Sequence, residues 1–270
     1  MFCASTTSIV SGALTERIKL WPFLVYVIIL VVVIYPIQAS WKWGGGFLND
    51  MGFQDFTSST FVHSVSGWAA LTGAIFFSLR LGEYKGGKVN PMPGSNLALA
   101  TLGIFILWLS WFGFNSCSQL YMDTSGSVAD ISSIFSNTNT VAAAGAVAAL
   151  TLTPSLIQST MIGTVSGIIV VFAMPMLDRM KIDYVVDAIS VHLFAGIWGT
   201  LAVYFTNSAA TFSVQLTSTL IVGAFVTVTT AFVWLVLKAT AGLRVSEEVE
   251  IMSLGRNRLG MEAYPAFSGS

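Results

Sequence analysis

Long apolar stretches follow one another along this chain with only short polar gaps, and that succession limits it to one class of fold. A helix needs roughly 20 mostly apolar residues to cross the hydrocarbon of a bilayer. Inside that layer every backbone N–H and C=O must be bonded within the protein, which a helix does unaided. Residues 20–40, opening Leu20-Trp21-Pro22-Phe23, form the clearest such stretch. Further spans are predicted over 58–82, 97–119, 186–206 and 214–238. Two more are expected across 136–178, broken near Thr153-Pro154, and a partial one over 1–14. The expected fold is all-α: a polytopic helical membrane protein of about seven to eight spans. Residues 1–240 form the membrane domain and 241–270 a charged tail. Charged types make up 9% of the 270 residues, against about 25% in a soluble domain. So few charges could not cover a surface facing water on all sides.

The same composition excludes several functions. A net charge of −1 gives no electrostatic footprint for nucleic acid. Cys3 and Cys117 have no metal-ligand spacing and form no disulfide framework. No nucleophile–base set, phosphate loop or metal cluster is present, so neither an enzyme nor a bound cofactor is expected. The opening Met1-Phe2-Cys3-Ala4-Ser5 lacks the basic stretch of a cleavable signal peptide.

Basic residues in short loops mark the cytoplasmic side. Arg17 and Lys19, then Arg80, Lys85 and Lys88, place the loops at 16–19 and 80–88 inside. The loops at 41–57 and at 120–135, the latter acidic with Asp123 and Asp130, fall outside. The alternation then fails. Two spans over 136–178 put Arg179, Lys181 and the charged tail outside, whereas one or three would put them inside.

The chain has two histidines, and both lie in predicted spans. Val62-His63-Ser64-Val65-Ser66-Gly67 and Val191-His192-Leu193-Phe194-Ala195-Gly196 share the pattern Val-His-x-x-x-Gly. Two structural histidines, each bonded to a neighbouring helix, are the plain reading. Ionisable groups within spans are costly and mark transport paths, and a repeated local context suits an inverted-repeat transporter with its site at the repeat interface. Small residues nearby, including Ser64, Ser66, Ala69, Ala70 and Gly73, permit close helix packing. Asp55 lies eight residues before His63 and Asp187 five before His192, and each suits a helix cap.

Several further motifs occur in order: Ser8-Ile9-Val10-Ser11-Gly12-Ala13-Leu14-Thr15-Glu16-Arg17, Trp43-Gly44-Gly45-Gly46, Trp111-Phe112-Gly113-Phe114-Asn115, Asn137-Thr138-Asn139, Gly196-Ile197-Trp198-Gly199-Thr200, Leu243-Arg244-Val245-Ser246-Glu247-Glu248 and Gly260-Met261-Glu262-Ala263-Tyr264. Together with the histidine segments they resemble the ammonium transporter family (Amt/Mep/Rh). The resemblance implies eleven spans with an inverted repeat, a cytosolic C-terminus in the cell membrane, and a homotrimer with one pore per subunit. Against that pattern the first two spans and most of the third are absent. The eighth is missing between about Leu156 and Ile162, which accounts for the failed alternation.

The resemblance also implies site roles. Trp43, Ser118 and Phe2, with Trp111 beside them, correspond to an external ammonium recruitment site. Phe2 and Phe114 correspond to a stacked gate. His63 and His192 correspond to a paired-imidazole proton relay, with Asp55 and Asp187 structural or electrostatic. The implied ligands are ammonium or ammonia, with methylammonium as an analogue, in a lipid bilayer. A PII-type regulator would dock at the cytosolic face, where Gly255 and Leu259 replace a usual acidic residue and histidine. An ammonium sensor and a non-conducting truncated relative are the competing readings.

Overall fold

The computed structural model describes residues 2–85, 88–89, 96–143, 155–183 and 185–251. Its helices include α1 (Phe2–Leu14), α2 (Leu20–Ser40), α3 (Ser59–Phe77), α4 (Leu97–Gln119), α5 (Ser125–Ala143), α6 (Leu156–Arg179), α7 (Ile189–Thr206), α8 (Phe212–Thr240) and α9 (Glu247–Ile251), with a single turn at Phe47–Asp50 between α2 and α3. Six of them, α2, α3, α4, α6, α7 and α8, are long and apolar enough to cross a bilayer. A short antiparallel pair, Tyr84–Lys85 with Lys88–Val89, follows α3.

Burial sets the layers. The α3 span is 78% buried and that of α4 only 6%, so α3 is the axis of the bundle and α4 stands at its rim. Helices α1, α7 and α8 pack directly on α3. Tyr26 of α2 stacks on Trp234 of α8 with ring centres 4.0 Å apart, and Phe77 of α3 meets the same indole edge-on. These rings anchor a core with Leu14, Leu30, Phe53, Phe61 and Val226.

The polar stretch at 120–135, expected as a loop, is mostly helix: α5 begins at Ser125 and carries Asp130. Its first half is Ser-rich and reads as a loop, yet its polar groups find partners on the helices beside it. Asn115 donates to Thr138 at 2.9 Å, Gln119 to Asp130 at 3.2 Å, and Ser159 to Asn137 at 3.1 Å. The expected break at Thr153-Pro154 lies outside the described residues. Helix α6 runs unbroken through 156–162, where the missing span was expected, and starts from a reciprocal cap: Ser155 accepts from Gln158 N–H while the Gln158 side chain accepts from Ser155 N–H.

The failed alternation resolves at one end of the bundle. Arg17 is fully buried after α1 and pairs with the Asp183 carboxylate beyond α6. It also donates to the carbonyls of Asp183 at 2.8 Å and Ser78 at 2.9 Å. Arg80 reaches the same carboxylate through Nε at 2.9 Å. Arg244, beyond α8, donates to Phe77 O at 3.0 Å and Leu79 O at 2.7 Å, and pairs with Glu250 at 2.6 Å. The loops after α1, α3 and α6 and the segment after α8 therefore share one end, and the loop carrying Arg179 and Lys181 lies with Arg17 and Arg80. Gly255 and Leu259 lie outside the described residues. Burial pushes the Asp183 carboxyl up, but its bond with Glu83 and the charges of Arg17 and Arg80 outweigh that and hold it below the usual carboxylate range.

Removing one partner of a buried ion pair strands the other, which costs about 3–5 kcal/mol. Asp183→Ala is expected to lower the thermal midpoint in detergent accordingly. Glu16→Gln, whose carboxylate is half exposed, should cost no more than about 1 kcal/mol.

Candidate functional site

The site is built on the crossing of α3 and α7. The two helices run antiparallel: Thr60 faces Thr200, His63 and Ser64 face Gly196, and Gly67 faces Leu193. A Cβ added at Gly67 would lie 2.5 Å from Leu193 Cα, and one at Gly196 would lie 2.9 Å from Ser59 O and 3.2 Å from His63 Cβ. The glycine four residues after each histidine thus receives the histidine-bearing turn of the other helix. That contact is the physical content of the Val-His-x-x-x-Gly repeat.

Each histidine also sits in a widened turn. Ser59–Ser64 and Ile189–Phe194 are π-helical, and His63 N–H bonds Ser58 O, five residues back, at 3.1 Å. Such single wide turns gather at functional sites. Here the glycines bring the backbones together and the wide turns bring both imidazoles to the crossing. Their Nδ1 atoms are 3.0 Å apart and their ring planes differ by 6°. A hydrogen bond between two Nδ1 atoms requires one to carry the proton and the other a lone pair. The outward Nε2 atoms are then complementary, an acceptor on the donating ring and a donor on the accepting ring.

A row of aromatic rings leads to the pair. Trp43 lies 5.6 Å from Phe2, Phe2 4.5 Å from Phe114, and Phe114 6.0 Å from His63, centre to centre. Trp111 packs in the same cluster as Phe2 and Phe114. Trp43 is held from behind, its ring 5.0 Å from Phe61 and its indole N–H donating to Asp55 O at 3.1 Å. Ser118 follows Phe114 by four residues on the 3₁₀ turn Cys117–Gln119, and its Oγ is buried with no hydrogen-bond partner among the described residues. The structure thus joins Trp43, Phe2, Trp111, Phe114, His63 and His192, with Ser118 four residues beyond Phe114.

The two aspartates differ. Asp55 is buried and accepts from the N–H groups of Ser59, Thr60 and Phe61, each at 2.9 Å, so it satisfies the open first turn that carries His63. Burial pushes its carboxyl up to about 6, against the pull of those N–H groups. Asp187 is exposed with φ 53°, and no side chain caps the turn that begins after Ala188.

Sequence reasoning passed over Tyr35, which packs with Phe2 and Phe114, and the buried polar residues Thr60, Thr200 and Gln215. A polar residue inside a span was the available signal, but such residues recur along every helix here and only their pairing distinguishes these.

Gly67→Ala and Gly196→Ala force the crossing apart, and overpacking of this kind costs about 1–3 kcal/mol. Both should lower the thermal midpoint. Gly103→Ala, with nothing within 4 Å, should leave it unchanged or raise it. The raised Asp55 value means that the native state holds this proton more tightly than the unfolded chain, whose ordinary value is 3.8. Stability from this group therefore falls as pH rises from about 4 to about 6. The difference in stability between the parent and Asp55→Asn, followed by unfolding at stepped pH, should change across that window and flatten above it.

Comparison with known proteins gives the family. The family model described as Ammonium Transporter Family matches residues 1–157 and 152–264, two stretches that overlap at 152–157. The chain is 35% identical to ammonium transporter Amt2 of Archaeoglobus fulgidus over 99% of its own length and 69% of the relative's. It is 33% identical to an ammonium transporter of Aquifex aeolicus, over 97% and 69%. Among solved structures it superposes on a protein described as a sensor Amt protein with a TM-score of 0.89 at 28% identity, covering 95% of this chain and 74% of that one. It thus spans about two thirds of the length of the relatives it matches. An integral membrane bundle with paired imidazoles at its crossing and this match over nearly the whole chain belongs to the ammonium transporter family.

Proposed function

We propose that this chain moves ammonium-derived nitrogen across a cell membrane, recruiting the cation at Trp43, Ser118 and Phe2 and passing it through the Phe2–Phe114 gate to His63 and His192. The observation that carries this reading is the 3.0 Å Nδ1–Nδ1 contact at the end of the aromatic row. An aromatic face attracts a cation by roughly 0.5–2 kcal/mol, more as water is removed. The unpaired Ser118 hydroxyl accepts an N–H from the same ion. Within a bilayer-spanning bundle a full charge costs far more than a neutral amine. Loss of a proton at the gate removes most of that cost, and the imidazole pair hands the proton on through its complementary Nε2 atoms. The end holding Arg17, Arg80 and Arg244 is the cytosolic one by the bias of basic loops. Residues 1–240 are then the transport domain and 241–270 a cytosolic tail, and the subunits assemble as homotrimers.

The superposition on a sensor Amt protein favours a second reading, in which the same site binds ammonium and signals without conducting. Uptake of radiolabelled methylammonium into transporter-deficient cells separates the two. The parent chain should restore uptake and His63→Ala should reduce it at least about tenfold. Binding of ammonium to purified protein with no uptake by the parent selects the sensor. Absence of both overturns the transport reading.

A further inference from the structure

We infer that Thr200 and Gln215 are positioning residues for the histidine pair, fixing how far α3 and α7 slide along each other. The inference rests on the reading of His63 and His192 as the working pair, and only the transport arm of its test depends on that reading.

Gly67 and Gly196 set how close the two helices come. They do not set register, because glycine against backbone is a smooth contact and carries no directional bond along the axis. A hydrogen bond between two Nδ1 atoms tolerates little slide. Directional bonds next to the pair supply what the glycines lack. The Thr60 and Thr200 hydroxyls meet across the crossing at 2.6 Å, three residues before His63 on one helix and eight after His192 on the other. The Thr200 hydroxyl also lies 3.1 Å from Gly196 O, and either hydroxyl can donate in the Thr60–Thr200 bond. Thr219, 3.4 Å from Thr60, donates to Gln215 O at 2.8 Å. The Thr60–Thr200 pair thus adjoins Gly196, where an added Cβ would lie 3.2 Å from His63 Cβ.

Gln215, fully buried on α8, holds this arrangement from the third side. Its Nε2 donates to Thr200 O at 3.0 Å and Gln54 O at 2.8 Å, and its Oε1 accepts from Gln54 N–H at 2.9 Å. One side-chain amide thus ties α7 to the residue next to Asp55, the carboxylate that orders the first turn of α3. Thr200 and Gln215 thus add directional bonds between α7, α8 and the start of α3 beside the glycine crossing.

The chain contains two histidines, so protein labelled with ¹⁵N-histidine gives two imidazole patterns. The parent should show unlike tautomers, one ring protonated at Nδ1 and the other not. Thr200→Val keeps the shape and removes the hydroxyl, and Gln215→Met removes the amide. Both should lose the unlike pattern, and Thr200→Ser should restore it. In methylammonium uptake the first two should lower the maximal rate about tenfold with KM within about twofold, since the recruitment residues are untouched. If Thr200→Val disrupts folding, Thr60→Val removes the same bond from the other side. An unlike pattern that survives in folded Thr200→Val or Thr60→Val overturns the inference. So does a Thr200→Ser variant that fails to recover it, because packing and not the hydroxyl would then set register. A parent that does not transport but shows the tautomer changes refutes the proposed transport and leaves the positioning role standing.

Discussion

The backbone-to-backbone crossing of α3 and α7 is the constraint from which the rest of the site follows. Without a side chain at Gly67 and Gly196 the two histidine-bearing turns approach until each meets the other's glycine. That approach leaves the imidazoles little choice of partner and places them at 3.0 Å. It also has costs that the surrounding structure meets. The wide turns disturb the regular helical ladder, and Asp55 compensates at α3 by accepting three N–H groups at its start. At α7 the corresponding aspartate is turned out to solvent, so the two halves of the repeat share the crossing and differ in how they are capped.

The fold places chemistry of opposite character at the two ends of the bundle. One end holds aromatic rings around Trp43, Phe2 and Phe114, with few charges. The other holds three arginines, Arg17, Arg80 and Arg244, on carboxylates and carbonyls. Both ends are assembled from segments far apart in sequence.

Much of this was legible in the sequence. Apolar stretches located most spans, and the histidine repeat located the crossing. The first half of α5 shows where hydropathy stops being informative: Asp130 reads as a loop residue until Gln119 is seen to face it. The glycine in Val-His-x-x-x-Gly was visible as a pattern, but its reason was a contact with the other copy of the pattern. The Arg17–Asp183 pair joins residues 166 apart, a separation at which local spacing says nothing. Thr60 and Thr200 are ordinary span threonines until the register between their helices is known.

The arginine cluster has a consequence for how the two halves of the chain stay together. Arg17 and Arg80 come from the first matched stretch and Asp183 from the second. At the opposite end Gln54 and Gln215 join the same two stretches. Cohesion between the halves is therefore bolted at both faces by noncovalent bonds, with the glycine crossing midway. The stack of Tyr26 and Phe77 on Trp234 adds an apolar seam between the same two stretches.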